Sequence, residues 1–269
     1  MPLLRIAVKM KKVRILQQKL LSSFNAPPVL KGVVAAAVSG GVDSVAMLLL
    51  LVHYCRMNGL QLCVFHVDHS LRDTSQADRI WVEELTQKLG LDFYWRRATS
   101  ADMESKIRPG SEAWARQFRY RCFVQMQKES GASLVATGHT ADDQAETMLM
   151  RMLRGCGIAG AGGIRSIRNL SVDGHQICLW RPLLALSRSD LQAYLIDQGQ
   201  GWCEDETNQS EVYFRNQVRH RILTEMNHIA SGASRHLAEL ADELQQLHAL
   251  ITRLAKKFMH RNMSIGHLQ

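Results

Sequence analysis

The chain has 269 residues, of which 46% are hydrophobic, so it can bury a proper core in one large domain with an appendage or in two smaller domains. Its 33 Lys and Arg outnumber its 25 Asp and Glu, which gives a formal net charge of +8. That balance favours an anionic partner, with nucleic acid first among the candidates, over a merely basic soluble protein. The longest apolar stretch, at residues 45–55, is too short to span a bilayer, so no membrane partner is expected.

The six cysteines contain no C-x-x-C pair, and the two closest are eight residues apart. This spacing excludes the zinc, iron–sulfur and thioredoxin-like sites that depend on paired cysteines. Several cysteines lie in apolar runs, where a free thiol behaves as a small hydrophobic side chain. A reducing, cytoplasmic location is therefore expected.

The first element along the chain is a basic segment at residues 1–28. The first 42 residues contain no Asp or Glu, whereas Lys and Arg recur between residues 5 and 19. Basic, acid-poor N-termini occur in organelle transit segments, and Met10 is an alternative start. We interpret the segment instead as a basic helix packed beside the first strand.

Strand and helix patterns alternate from residue 33 to residue 153. Short β-branched or aromatic runs predict strands at residues 33–38, 61–67, 92–97 and 132–137. Helical periodicity fills the intervals at residues 43–57, 75–89, 111–129 and 140–153. This alternation predicts an α/β fold, a doubly wound parallel sheet with helices on both faces, whose ligands bind at the carboxyl ends of the strands.

The alternation breaks after Arg154. The glycine-rich segment at residues 155–163 is too flexible for the interior of a helix or strand, and we interpret it as a mobile closing element rather than a plain linker. A short apolar piece and a helix from about Ser189 to Gln198 follow. From Ala233 onward apolar residues step by three and four, which predicts one long amphipathic helix, packed on the domain or bridging to something else. These patterns divide the chain into an extension (1–28), an α/β domain (29–208) and a small helical C-terminal region (209–269).

The stretch SGGVDS follows the first predicted strand and opens the next helix. Gly40 and Gly41 allow an anion to approach the backbone, at a helix N-terminus that carries partial positive charge. Ser39 and Ser44 add hydroxyl donors, while Asp43 can hold a divalent cation that neutralises phosphate charge. Because the stretch lacks the Gly-Lys-Ser/Thr ending of a Walker A loop, it predicts phosphate binding without γ-phosphoryl transfer.

SGGVDS resembles the pyrophosphate-binding loop of the PP-loop ATP pyrophosphatase superfamily, whose members cleave ATP between the α- and β-phosphates. Five more segments look like those of the tRNA(Ile)-lysidine synthase family, in the same order: HVDHSLR (66–72), EAWARQFRY (112–120), ATGHTADDQAETMLMRMLRG (136–155), RPLL (181–184) and EDETN…YFRNQVRHRIL (204–223). The resemblance covers residues 30–225. It implies a ligase that uses ATP to join free L-lysine to the wobble cytidine of an isoleucine tRNA with a CAU anticodon, through an adenylylated tRNA, releasing AMP and pyrophosphate.

The resemblance also implies roles for individual residues. ATP is expected to contact Ser39, Gly40, Gly41, Val42, Asp43, Ser44, His66, Asp68 and His69. Mg²⁺ is expected at Asp43, Asp142 and Asp143. Catalytic roles are expected for Asp43, Arg119, His139, Glu146 and Arg215. Arginine stays charged beside developing negative charge, and a carboxylate or His between residues 139 and 146 is the candidate base for lysine.

Plain structural alternatives stay open at several of these positions. His66 and His69 also suit the end of an ordinary strand, clustered carboxylates often cap a helix, and arginines at helical spacing often form weak surface ion pairs. Two other functions compete: a tRNA 2-thiolation enzyme of the same superfamily, against which the lack of paired cysteines counts, and a non-catalytic nucleotide-binding module. The sequence leaves a homodimer open.

Overall fold

The computed structural model describes residues 16–24, 31–70, 75–99, 102, 108, 111–204 and 214–265, with the side chains of the last helix described as far as 259. The chain divides into two compact units. Unit 1 comprises Met1–Thr140 and Ser166–Thr207, and unit 2 comprises Ala141–Arg165 and Asn208–Gln269. Most of the basic N-terminal segment lies outside the described residues, and residues 16–22 of it are helical.

Unit 1 is built on one mixed sheet. Its strands are β1 (Val33–Ala37), β2 (Gln61–Asp68), β3 (Asp92–Arg97), β4 (Ala132–Thr137), β5 (Ile167–Val172) and β6 (His175–Trp180). Their order is β3-β2-β1-β4-β6-β5, and every neighbouring pair is parallel except β5 with β6. The four predicted strands and the parallel sheet are confirmed.

The antiparallel β5–β6 hairpin was not predicted. Its turn is formed by Asp173 and Gly174, which both have positive φ angles, 48° and 79°. A two-residue turn with two positive φ angles matches the right-handed twist of the strands that it joins. The Asp-Gly pair is the signal in the sequence that could have revealed this edge of the sheet.

The helices are numbered along the chain. They are α1 (Val42–Met57), α2 (Ser75–Lys88), α3 (Glu112–Ser130), α4 (Ala141–Leu153), α5 (Ile158–Ala161), α6 (Arg188–Gln198), α7 (Phe214–Gln217), α8 (Thr224–Ile229) and α9 (Ala233–Ile265), with a π-helical segment, Val218–Leu223, between α7 and α8. The predicted helices at 43–57, 75–89, 111–129, 140–153 and 189–198 are confirmed to within a residue or two, as is the long C-terminal helix. None of the helices in the described ranges is both long and apolar enough to cross a membrane.

Both faces of the sheet in unit 1 are buried. Val34 and Ala36 of β1 belong to the core that α1 and α6 cover, whereas Ala35 belongs to the core that α3 covers. Successive strand residues point to opposite faces, so a strand covered on both sides must be apolar throughout. This explains the unbroken apolar run at residues 33–38 and confirms helices on both faces.

The order of the strands creates a switch point at the centre of the sheet. From β1 the chain proceeds to β2 and β3 on one side, and then returns to β4 on the other side of β1. At such a point the loops that leave the carboxyl ends of two adjacent strands diverge and open a crevice. The loops that follow β1 and β4 are therefore the place to look for a ligand site in unit 1.

Unit 2 is helical, and α9 packs on α4 and α5. The glycine-rich segment belongs to this unit and contains the single turn α5, which corrects the expectation that it has no helix. Arg151 donates hydrogen bonds to the carbonyls of Gly160 at 2.9 Å and Gly163 at 2.7 Å. Gln144 donates to the Ile164 carbonyl at 3.1 Å and accepts from its N–H at 2.5 Å. A closing movement of residues 160–164 would have to break these bonds.

Candidate active site

The loop at residues 39–44, which we call the phosphate loop, joins β1 to α1 at the switch point. Gly40 has a φ of +102°, and Gly41 is the N-cap of α1 without a side-chain hydrogen bond to the helix. The Ser44 hydroxyl donates to the Gly41 carbonyl at 2.9 Å and accepts from the Ser39 N–H at 3.2 Å. Because the Ser44 hydroxyl proton is donated to the Gly41 carbonyl, this side chain stabilises the turn and has no proton left to donate to a ligand. The exposed Ser39 is the better placed of the two serines for a ligand.

Two close approaches hold the phosphate loop in place. A Cβ atom at Gly138, just after β4, would lie 3.1 Å from the carbonyl carbon of Asp43 and 3.2 Å from its oxygen. A Cβ atom at Gly40 would lie 3.1 Å from the Cys203 sulfur, and the Cys203 N–H donates to the Gly40 carbonyl at 2.9 Å. Position 40 therefore favours glycine because of its positive φ, whereas a Cβ at position 138 would require the Asp43 backbone to shift by a few tenths of an ångström. Sequence analysis missed the roles of Gly138 and Cys203 because nothing in the sequence reveals which segments meet the loop.

Asp43 occupies the first turn of α1 and is half-buried. A carboxylate is favourable there because the N-terminus of a helix carries partial positive charge. Together with the Ser39 hydroxyl it offers the hard oxygen donors that Mg²⁺ selects, and Mg²⁺ commonly takes one or two carboxylates and completes its shell with phosphate oxygens and water. The donor chemistry of the loop thus fits a magnesium ion that arrives with a nucleotide. No cluster of three metal-ligating side chains is found in the described parts of the chain.

His66 lies at the end of β2, beside the start of the phosphate loop. It is buried, and its Nδ1 is 2.8 Å from the Val38 carbonyl oxygen. A carbonyl only accepts, so Nδ1 carries a proton and donates. Burial lowers the pKa of His66, although the hydrogen bond to Val38 and the charge of Asp68 act in the opposite direction. His66 is therefore a neutral imidazole whose Nε2 is an acceptor.

Asp68 and His69 have structural contacts of their own. The Asp68 carboxylate accepts from the Ser70 N–H at 2.7 Å and lies 3.3 Å from Nε of Arg97. The His69 ring packs against Trp114 and Phe118 of α3, with ring centroids 6.1 and 5.7 Å apart. Asp68 therefore shapes the turn that follows β2, and His69 joins this turn to α3.

Arg119 is half-buried on α3. Burial lowers its pKa, and the nearby charge of Arg116 lowers it further. Arg116 itself donates to the Tyr120 hydroxyl at 3.1 Å. Tyr120 and the carboxylate of Glu112 act in the opposite direction and raise this pKa, but the net shift is downward. Within the described residues Arg119 has no hydrogen bond or ion pair. Such a group has the charge and the environment to receive an anionic ligand.

His139 also lies in unit 1. Its Nδ1 is 3.0 Å from the Thr137 hydroxyl, and its backbone N–H donates to the Thr137 carbonyl at 2.9 Å. These bonds fix the ring at the end of β4, two residues from the start of α4. The remaining predicted site residues, Asp142, Asp143, Glu146 and Arg215, belong to unit 2.

In unit 2, two carboxylates of α4 meet two arginines of the 214–223 helical segment, and we call these four residues the ion-pair cluster. Glu146 is 1% exposed and accepts from Nε of Arg215 at 2.7 Å and from Nε of Arg219 at 2.5 Å. Asp143 accepts from the same Arg215 at 2.6 Å and lies 3.9 Å from Arg219. Burial would lower the pKa of Arg219, but the hydrogen bond and charge of Glu146 and the charge of Asp143 raise it. The four charges of the ion-pair cluster compensate one another.

The sequence comparisons decide the family. A model of the PP-loop domain matches residues 12–226. The tRNA(Ile)-lysidine synthase of Chlorobaculum tepidum is 34% identical over 241 residues, which cover 87% of this chain and 70% of the relative. The chain belongs to the tRNA(Ile)-lysidine synthase family of PP-loop proteins.

Other relatives are longer. The tRNA(Ile)-lysidine synthase of Geobacter sulfurreducens is 35% identical over 233 residues, which cover 86% of this chain and 48% of that protein. The chain thus spans about half the length of several curated relatives that it matches. Among solved structures, the U34-tRNA thiolase NcsA from Methanococcus maripaludis superposes with a TM-score of 0.69 at 18% identity, covering 88% of this chain and 79% of that one. This likeness shows a shared fold.

Proposed function

We propose that the chain ligates free L-lysine to C2 of the wobble cytidine in an isoleucine tRNA with a CAU anticodon, at the expense of ATP. The supporting observation is the phosphate loop, a Gly-Gly turn at the switch point of a parallel sheet, found in a chain of this family. In the first step the C2 carbonyl oxygen of the cytidine attacks the α-phosphate, and pyrophosphate leaves. In the second step the neutral ε-amine of lysine attacks C2, and AMP leaves.

The residues of unit 1 have the properties that the first step requires. Backbone N–H groups at the start of α1, with the Ser39 hydroxyl, would receive the departing pyrophosphate. Arg119 would offset the negative charge that develops at the phosphates, because its guanidinium is desolvated and has no carboxylate partner in the described part of unit 1. The neutral His66 offers an acceptor nitrogen for a hydroxyl or amino group of the nucleotide.

Asp43 is the residue we propose to hold Mg²⁺ by its carboxylate, with the Ser39 hydroxyl of the same loop as a further oxygen donor. When bound, the ion would supply charge neutralisation at the phosphates. The Mg²⁺ role that the sequence predicts for Asp142, which belongs to unit 2, stays a prediction. Asp143 is a weaker candidate than the sequence suggested, because its carboxylate is already paired with Arg215 at 2.6 Å.

The ion-pair cluster argues for a revised role of Glu146. The sequence suggested that Glu146 positions or deprotonates lysine. A carboxylate that two guanidinium groups already engage is a poor proton acceptor, because taking up a proton would weaken both ion pairs. We therefore propose that Glu146 fixes Arg215 and Arg219, and that His139 is the better candidate base for the lysine amine.

The thiolation alternative requires reactive cysteines. Burial raises the thiol pKa of Cys55 to about 11 and those of Cys63 and Cys122 to about 12, so these thiols resist forming the thiolates that sulfur transfer or cluster binding needs. All six cysteines are free, which suits the proposed cytoplasmic location.

The proposal is tested by the dependence of turnover on each substrate. The purified chain is incubated with ATP, Mg²⁺ and an isoleucine tRNA transcript with a CAU anticodon, and AMP, pyrophosphate and labelled lysine in tRNA are quantified. We expect all three products in equal amounts, none of them when tRNA is omitted, and pyrophosphate without AMP or lysine-labelled tRNA when only lysine is omitted. Products that form with a sulfur donor instead of lysine would favour thiolation, and ATP binding without any product would favour a nucleotide-binding module.

A further inference from the structure

Large apolar side chains are exposed where α4 ends, in unit 2. Met152 is 53% exposed, Leu153 59% and Ile158 44%, and every residue from 152 to 159 is exposed. The apolar side chains of a surface helix are usually buried against its own domain. Large apolar side chains that are grouped on a surface, rather than scattered singly, indicate an interaction site.

An arginine and an aromatic ring meet beside these apolar side chains. The guanidinium carbon of Arg154 lies 5.0 Å from the centroid of the Phe214 ring, which is 38% exposed. Arg154 is exposed as well. Because both groups are planar and reach the surface, a planar ligand can stack on the guanidinium or on the ring. We call Met152, Leu153, Arg154, Ile158 and Phe214 the stacking platform.

Both halves of the stacking platform are anchored to α4. Arg154 closes the last turn of this helix, where its N–H donates to the Arg151 carbonyl at 3.2 Å. Phe214 directly precedes Arg215, which donates to Glu146 at 2.7 Å in the ion-pair cluster. A site that is held in place before its ligand arrives loses less conformational entropy on binding.

The charges around the stacking platform favour an anionic ligand. Residues 147–165 include three arginines and no Asp or Glu, and the same is true of residues 214–224. Among common polyanions, nucleic acid combines negatively charged phosphates with flat aromatic rings. Exposed arginine and aromatic side chains side by side match both properties. The ligand class that fits the platform is therefore a single-stranded stretch of nucleic acid.

We propose that the stacking platform receives an unpaired base of the anticodon loop, the adenine of the CAU anticodon. The inference rests on the proposed function, in which this tRNA is the substrate. Proteins recognise single-stranded RNA largely by stacking its unpaired bases on aromatic side chains and arginine planes. The wobble cytidine must leave the stack to react, which exposes a face of the adenine beside it. Adenine also offers a larger face for stacking than uracil, the third base of the anticodon.

The proposal is tested by removing each stacking partner in turn. Isoleucine tRNA is ligated from two halves with either the adenine or an abasic nucleotide at that position. Its Kd is measured for the full parent chain and for Phe214→Ala, without ATP or lysine. We expect Phe214→Ala to weaken the adenine tRNA about tenfold and the abasic tRNA less than about twofold, because the ring then has no base to bind. Equal losses with both tRNAs would overturn the inference.

Conservative variants separate stacking from apolar contact. Phe214→Trp keeps an aromatic face and should bind the adenine tRNA within about threefold of the parent, whereas Phe214→Leu keeps apolar bulk without a ring and should bind about as weakly as Phe214→Ala. Ile229→Ala is the matched control, because it removes a side chain of α8 that is 79% exposed in the same unit. It should leave the Kd unchanged. Parental affinity of Phe214→Leu would contradict stacking.

The arginine is tested in the same assay. Arg154→Lys keeps the positive charge but removes the planar guanidinium, so it should weaken the adenine tRNA about threefold to fivefold and leave the abasic tRNA unchanged. Failure of the inference is distinct from failure of the proposed function. A parent that binds neither tRNA would overturn both, whereas equally tight binding of the adenine tRNA by the parent and Phe214→Ala would overturn the inference alone.

Discussion

Arg119 of unit 1 and Arg219 of unit 2 are held in opposite ways. Arg119 in unit 1 is desolvated, has no carboxylate partner among the described residues, and has a lowered pKa. Arg219 in unit 2 is paired with buried Glu146 and has a raised pKa. A cation without a hydrogen bond or ion pair to the protein is available to a ligand, whereas a cation in a neutral cluster maintains the local fold. From this comparison we propose that unit 1 carries the anion chemistry and that the ion-pair cluster stabilises the fold of unit 2.

The largest effect is expected from Asp43→Ala. Loss of the carboxylate removes the proposed metal ligand, and we expect lysine incorporation to fall at least about 10²-fold to 10³-fold. Thermal unfolding should change little, because the residue is half-buried in the first turn of α1. Asp197→Ala, which removes an exposed carboxylate from α6 in the same unit, serves as the control and should retain parental activity. Near-normal lysine incorporation by Asp43→Ala would refute the magnesium assignment.

The variants Arg119→Ala and Arg215→Ala directly test the comparison between Arg119 and the ion-pair cluster. Arg119→Ala should lower turnover about 10²-fold with the free energy of unfolding unchanged or slightly increased, since a desolvated cation is removed. Arg215→Ala leaves Asp143 and the buried Glu146 with one arginine fewer, and should cost about 1–3 kcal/mol of stability. Urea unfolding and lysine incorporation are measured on both variants. The opposite pattern, with Arg119→Ala unstable and Arg215→Ala stable but inactive, would reverse the assignment.

A smaller effect is expected from Gly138→Ala. The new Cβ would meet the Asp43 backbone at 3.1 Å and displace the phosphate loop, so we expect a loss of about 1–3 kcal/mol in stability and weaker ATP binding. Gly201→Ala is the matched control in unit 1, because a Cβ there has no neighbour within 4 Å and its φ is not positive. Calorimetric titration with ATP compares the two variants. Equal ATP affinities would show that the approach of Gly138 to the loop has no role in binding.

We expect His66, which lies beside the phosphate loop, to make the free energy of unfolding depend on pH. Its folded-state pKa lies below the value of 6.5 in the unfolded chain, so below pH 6.5 the unfolded state binds the additional proton. Stability should therefore fall as the pH decreases from 6.5 toward the folded-state pKa, and be fully present above 6.5. His66→Asn removes the titrating group while keeping a hydrogen-bond donor. Urea unfolding at several pH values should show a smaller decrease for this variant than for the parent, and an equal decrease would exclude His66 as the source.

The smallest effect concerns the basic groove of unit 2. A groove of about 890 Å³ is lined by Arg165, Arg253, Lys256 and Lys257, among others. If tRNA phosphates bind there, Lys256→Ala should lower the slope of log affinity against log salt by about 1 and weaken all tRNAs equally. Affinity is measured at several salt concentrations for this variant and for Lys31→Ala, an exposed lysine of unit 1. Identical slopes for Lys256→Ala and the parent would contradict phosphate binding in the groove.

The sequence predicted the elements of the fold better than the contacts of the site. Apolar or aromatic runs and long helical repeats are local signals, and all four strands of the predicted sheet follow from them. The β5–β6 hairpin was missed because its strands are half exposed and follow a glycine-rich segment. The pairing of Glu146 with Arg215 and Arg219 joins positions about 70 residues apart in the chain, and no spacing rule reveals it. The approach of Gly138 to Asp43 is hidden for the same reason.

One measurement tests the central claim most directly. The full chain is mixed with tRNA, Mg²⁺ and ATP labelled at the α-phosphate, without lysine, and the tRNA is separated by acid gel. We expect the label to accumulate on the tRNA in the parent, to be released as AMP when lysine is added, and to be absent from the tRNA in Asp43→Ala. Labelled ADP in place of a labelled tRNA, or equal labelling of the tRNA by Asp43→Ala, would contradict adenylylation at the phosphate loop.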